Sequence, residues 1–291
     1  MTGERAMRPV IGVVEAAGLA LLQDRGRPGF AHLGVPRSGA LDRAAADLAN
    51  RLVGCTEDAA VLEVVGGISL VAQEGRWVAV TGAPCDVAVD GRPRAHSEPV
   101  WLPQAARLTV GPAIAGVRGY VAVGGGITVP PVLGSRSTDT LAWVGPPRVV
   151  TGAVLPLGQP GEPRTADSVG PSSPRRETVL RVLPGPHEEW FGPRALDVLA
   201  ETAWRVRPDS NRVGLRLQGD VPVPRVAGEL PSEGMLLGAV QVPGDGQPVV
   251  LLNDHGTTGG YPVVGVVDAA DLGACAQLRP GDRITLRPAR G

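Results

Sequence analysis

The sequence predicts a mainly β protein with a few helices (α+β), built as two similar β-rich units. Glycine and proline are abundant, 41 and 29 of 291 residues, which suits many short strands joined by turns. Apolar runs such as PVVLL and VVGVV recur between those turns. The two tyrosines stand in matching runs, RGYVAVGG at Tyr120 and GGYPVVGV at Tyr261. Each run is followed by a closing segment, TGAVLPL from Thr151 and PGDRITL from Pro280. The same order in both halves implies duplication, and each unit is expected to close its edges as a small barrel.

Along the chain, VIGVVEAAGLALL from Val10 to Leu22 reads as a buried strand pair, because Glu15 interrupts any continuous apolar segment. A helix follows in SGALDRAAADLANRLVG, with Ser38 as N-cap, Leu41, Ala45, Leu48 and Leu52 on one face, and Gly54 as its stop. A second helix is expected to start at Pro193 in GPRALDVLAETAW. Residues 158–178 lack an apolar period and have the Pro, Gly, Ser and charge content of a linker. The expected units are therefore 1–157 and 179–291.

Composition removes several function classes. A net charge of -1 and 3% aromatic residues give no electrostatic or stacking case for nucleic acid or a membrane surface. The chain contains no lysine, so it carries no Schiff-base, Walker A or biotin-bearing lysine, and cationic work falls to arginine. Cys55, Cys85 and Cys275 form neither a zinc motif nor a disulfide framework, which points to a reducing, cytoplasmic setting.

The stretch NDHGTTGGYP, Asn253 to Pro262, holds the densest polar signal. Asp254 and His255 cannot form two members of a triad, because neighbours on an extended strand point to opposite faces. His32, His96 and His187 show no ligand spacing, so no metal site is expected. Thr257, Thr258, Gly259 and Gly260 offer hydroxyls and unhindered N–H groups that suit an anion nest, and equally suit a hairpin. The glycines at 124–126 are followed by no helix signal and are not a dinucleotide fingerprint.

Four blocks carry a family resemblance: LLQDRGRPGFAHLGVPRSGALDRAAADLANRLVGCTEDAAVLEVV from Leu21, LGSRST from Leu133, PDSNRVGLRLQG from Pro208, and SEGMLLGAVQVPGDGQPVVLLNDHGTTGGYPVVGVV from Ser232. Together they resemble the allophanate hydrolase subunit 2, or biotin-dependent carboxyltransferase, family. That family includes the C-type subunit of bacterial ATP-dependent 5-oxoprolinase. The resemblance implies two cyclophilin-like β-barrel subdomains and work inside a heteromeric complex with a B-type and an A-type subunit. It implies hydrolysis of 5-oxo-L-proline, a cyclic amide, to L-glutamate, with ATP shared with the partners. The alternatives it leaves are carboxyl transfer from carboxybiotin on a separate carrier to urea or a related amide, and a non-catalytic antagonist of a kinase inhibitor. Two places depart from the family pattern: DTLAWVGPPRV after the R-S-T segment, and His255.

No catalytic residue is assigned. Binding candidates are Asp24, Arg25, Arg27, Ser38 and Asp42, on a face where the halves are expected to meet, and Arg136 of LGSRST. Arg212 of SNRVG is either a ligand residue or a solvated arginine beside a turn-capping Ser-Asn pair. Thr257, Thr258, Gly259 and Gly260 are expected to contact an anionic group, with Tyr261 on the cleft wall. Asp254 would orient their backbone N–H groups, and His255 would face solvent.

Overall fold

The computed structural model describes residues 9–164, 178–228 and 230–289. The fold is mostly β, with three α-helices among the described residues: α1 (Arg43–Leu52), α2 (Ala195–Glu201) and α3 (Leu272–Cys275). Internal contacts divide the chain into two units by a path more interleaved than one central cut. The first contains residues 9–26, 43–138 and 145–164, and the second contains 27–42, 139–144 and the described residues from 178 onward.

The first unit is two antiparallel sheets around one core. One sheet contains β1 (Val10–Ala16), β4 (Ile68–Ala72), β6 (Val87–Val89), β7 (Arg92–Arg94), β9 (Arg107–Val110) and β11 (Val154–Pro156), in the order β11-β1-β4-β9-β6-β7. The other contains β2 (Leu19–Gln23), β3 (Val61–Val65), β5 (Arg76–Gly82), β8 (Pro99–Leu102) and β10 (Gly119–Val123), in the order β2-β3-β10-β5-β8. Two strands stand where a buried strand pair was expected from Val10, but they do not pair with each other: β1 joins β11 and β4 in one sheet, and β2 joins β3 in the other. Ile11, Leu70 and Leu108 from one sheet share a cluster with Leu22, Leu62 and Val121 from the other. Helix α1 covers β5 and β10, where Thr81 Oγ1 donates to the Ala45 carbonyl at 2.7 Å. With both faces covered, every residue of β10 is buried, which accounts for its unbroken apolar sequence.

Helix α1 starts later than expected, and its inner face carries Ala46, Ala49, Asn50 and Leu52, while Ala45 and Leu48 are only half-buried. Ser38 lies in the second unit and is not its cap. Gly54 does end it, at φ 72°, and a Cβ there would meet the Glu162 carbonyl oxygen at 2.1 Å. The coil at 158–164 is not a free linker: Gly158 N–H donates to the Gly126 carbonyl at 3.1 Å and Arg164 N–H to that of Leu52 at 3.1 Å. The remaining linker positions, 165–177, lie outside the described residues.

The second unit is a closed barrel of β12 (Thr178–Pro184), β13 (Trp204–Val206), β14 (Gly214–Gln218), β16 (Ala239–Gln241), β17 (Val249–Leu251), β19 (Val263–Val267) and β20 (Arg283–Pro288). Its order is β12-β19-β16-β17-β14-β13-β20, closed by parallel pairing of β12 with β20. Leu180, Trp204, Leu217, Val240, Val250 and Ile284 fill it. Trp204 satisfies its buried indole N–H on the Leu199 carbonyl at 2.8 Å. Helix α2 begins at Ala195, so Pro193 precedes it by two residues and does not occupy its first turn. A two-stranded ribbon, β15 (Glu233–Gly234) with β18 (Thr258–Gly259), accompanies the barrel. The two closing segments both lie beside the first strand of their unit, antiparallel for β11 and parallel for β20. Their similar order in sequence does not extend to identical strand direction. No helix among the described residues is long and apolar enough to cross a membrane.

Candidate functional site

Asn253, Asp254 and His255 follow shortly after strand β17 in the second unit. Asp254 is fully buried, and its carboxylate receives five donors. Oδ1 accepts from Ser38 Oγ at 2.9 Å and Arg212 Nη2 at 3.0 Å. Oδ2 accepts from Arg212 Nε at 2.8 Å, Thr140 N–H at 3.0 Å and Thr140 Oγ1 at 2.7 Å. The Arg212 fork is thus bidentate, and its Nη2 also donates to the Gly39 carbonyl at 2.7 Å. Burial pushes the Asp254 carboxyl up, but the Arg212 charge and these hydrogen bonds outweigh it and hold the group below its ordinary range.

The node joins segments remote in sequence. Asn253 Nδ2 donates to the Gly39 and Ala40 carbonyls at 3.1 Å each, and Ser38 N–H donates to the Asn253 carbonyl at 2.9 Å. Ser38 sits at φ 57°, a left-handed conformation that costs a non-glycine residue and persists where its surroundings hold it. Asp139, also fully buried, receives Leu141 N–H at 2.9 Å and Ala142 N–H at 2.8 Å, closing the tight turn that presents Thr140. Asp254 therefore orients side chains and segments around it, whereas the expected Asx-type bonds to its own loop are replaced by these. With its lone pairs committed to Arg212, Ser38 and Thr140, it is not arranged as a general base.

Arg212 follows a turn in which Asn211 Oδ1 accepts Val213 N–H at 2.8 Å, the capping expected of Ser-Asn. The arginine itself is 2% exposed and not solvated. His255 does not face solvent either. It is buried, with Nδ1 2.7 Å from the Gly256 carbonyl, and burial lowers its pKa despite that bond and the Asp254 charge.

The residues after it do not form a nest. Thr258 and Gly259 are the strand β18, and Gly256, Gly259 and Gly260 lie outside the positive-φ region, whereas a nest needs alternating handedness. Leu230 N–H donates to the Gly260 carbonyl at 3.1 Å and Met235 N–H to that of Thr257 at 2.9 Å. A register shift between Val240 and Gln241 in the β16–β19 pairing turns Gln241 toward the ribbon, where its Nε2 lies 3.3 Å from the Tyr261 carbonyl oxygen. Thr258 and Tyr261 remain exposed. His187, which spacing alone did not single out, supports the same region: Nδ1 accepts Val263 N–H at 3.0 Å and Nε2 faces Glu233 Oε1 at 3.0 Å. That bond fixes the tautomer with the proton on Nε2.

The five candidates from the opening block divide between the units. Arg27, Ser38 and Asp42 are in the second. Arg27 is buried, and Asp42 Oδ2 accepts from Gln277 Nε2 at 2.9 Å. In the first unit, Asp24 Oδ1 accepts from Ser135 Oγ and Ser137 Oγ, both at 2.6 Å, and Oδ2 accepts Arg136 N–H at 2.5 Å. Two of the four blocks, QDRG and LGSRST, are therefore one structural knot. Arg136 Nε is occupied by the Val129 carbonyl at 2.7 Å. Arg25 alone points to a surface ion-pair group, with Nη2 2.5 Å from Glu57 Oε2.

Comparison with known proteins matches residues 33–288 to the family described as carboxyltransferase domain, subdomain A and B. The chain is 37% identical over 285 residues to the C-type 5-oxoprolinase subunit of Escherichia coli, covering 94% of this chain and 90% of that protein. It is 33% identical over 289 residues to urea amidolyase of Saccharomyces cerevisiae, of which it spans 16%. The crystal structure of Kluyveromyces lactis urea carboxylase superimposes with a TM-score of 0.88 at 28% identity, over 99% of this chain and 28% of that one.

Proposed function

The chain belongs to the carboxyltransferase domain family, subdomains A and B, and from that premise we propose that it is one subunit of an ATP-dependent 5-oxoprolinase. Its role would be with B-type and A-type partners, opening 5-oxo-L-proline to L-glutamate in the cytoplasm. The observation that carries this reading is similarity over 94% of this chain and 90% of the C-type 5-oxoprolinase subunit of E. coli. Water adds across the lactam C–N bond in this reaction, and coupling to ATP hydrolysis drives the opening of a stable amide. A site for it must hold a small carboxylate beside a phosphate, chemistry that suits arginine forks. Of the candidates, Arg212 spends its fork on Asp254 and the Gly39 carbonyl, so the bound groups would meet other arginines or the partners.

Similarity to urea amidolyase and urea carboxylase favours carboxyl transfer to urea as the second reading. Carboxybiotin would then arrive on another polypeptide segment, because this chain has no lysine. Deleting the gene and measuring cellular 5-oxoproline separates the two. Accumulation of 5-oxoproline is expected, whereas unchanged 5-oxoproline with lost growth on urea would replace the first reading by the second.

A further inference from the structure

An open depression of about 490 Å³ lies in the first unit, beside the end of α1. Arg25, Arg51 and Arg164 line it from three separate segments, together with Thr56, Glu57 and Asp58. Its size falls in the range of small-molecule sites. Among the described residues that line it, three cations face two carboxylates, and the negative end of α1 removes about half a charge more, which still leaves these residues net positive. Behind the lining, Asp47 lies 3.7 Å from Arg25 Nη2 and 3.6 Å from Arg43 Nε, whose charge offsets its own.

The two lining carboxylates are not equivalent. Asp58 is turned onto the Thr56 hydroxyl, which lowers its pKa. Glu57 bridges two forks, with Oε2 2.5 Å from Arg25 Nη2 and Oε1 3.0 Å from Arg51 Nη1. All three of these side chains are 34–41% exposed, so water screens the pairs and the bridge is weakly held. A carboxylate shared between two guanidinium groups occupies the place that a tighter-binding anion would take. Phosphate oxygens match the same forks bidentately and carry more charge. Arg164 is positioned at the rim by its N–H bond to the Leu52 carbonyl, and Arg51 by the last turn of the helix.

We propose that this depression binds a phosphate-bearing small molecule, which displaces Glu57 from Arg25 and Arg51 and is completed by Arg164. The proposal concerns binding by this chain alone, so its failure and that of the proposed reaction are distinguishable.

Titration calorimetry of the full chain with pyrophosphate tests it. Saturable binding is expected, weakening with added salt. Glu57→Gln removes the internal competitor and is expected to tighten binding several-fold. Arg164→Ala and Arg25→Ala are each expected to weaken it about tenfold, as loss of a charge-assisted hydrogen bond does. Competition by ATP but not adenosine would assign the site to nucleotides, and pyrophosphate binding without ATP competition would assign it to inorganic phosphates. No saturable heat with either the wild-type chain or Glu57→Gln at millimolar pyrophosphate would overturn the proposal. So would affinities that both arginine substitutions leave unchanged in chains that melt like the wild type.

Discussion

Asp254 and Arg212 form a buried pair held through both carboxylate oxygens, so their removal has a defined consequence. Asp254→Asn leaves Arg212 buried with its counter-charge gone, and a loss of about 3–5 kcal/mol is expected in denaturant unfolding. Arg212→Ala should act likewise, through stability first. A catalytic role would instead show as lost turnover with an unchanged unfolding midpoint. His255 makes the stability depend on pH. Its folded pKa lies below the ordinary value, so the unfolded state takes the proton first as pH falls. Stability is therefore expected to decline as pH drops below about 6.5, and His255→Gln should flatten that limb of the profile. Asp254, also shifted down, contributes stability above about pH 4 that is lost as pH falls through its folded value. The two limbs separate in a melting-temperature series against pH.

The ribbon β15–β18 is the element on which the NDHGTTGGYP stretch turns. A Cβ at Gly259 would lie 2.9 Å from Gln241 Nε2 and 3.2 Å from Met235 Cγ, while Thr258 is exposed. The Gln241 and Met235 side chains can move aside in part, so Gly259→Ala is expected to cost about 1 kcal/mol, the low end of overpacking, and Thr258→Val less than about 0.5 kcal/mol. Equal effects in urea unfolding would contradict the ribbon geometry. The helix signals show what local reading reaches. Gly54 as a stop was legible because only a residue without a side chain tolerates that turn. Ser38 differs, since a serine before an apolar period has the local features of a cap whether or not its hydroxyl is taken elsewhere. What took it was a carboxylate 216 positions away. Likewise, the inner face of α1 is set by β5 and β10, and the sequence period alone does not choose between adjacent stripes of alanine and leucine.

At the scale of the whole chain, the proposed reaction requires other subunits. The purified chain is expected to show no 5-oxoproline-dependent ATP hydrolysis alone, and to support it when combined with B-type and A-type partners. Turnover by the isolated chain would remove that division of labour. The mainly β class, the two strands from Val10 and the match in family were determined by sequence alone, because apolar runs, turn residues and contiguous motifs are local properties. Tertiary structure decided the rest. It assigned residues 27–42 and 139–144 to the unit of the barrel, buried Arg212 and His255, and joined QDRG to LGSRST through Asp24. Each of these depends on which distant partner satisfies a polar group once water is excluded. That choice is made by desolvation and geometry in the folded chain, and leaves no periodic mark in the sequence.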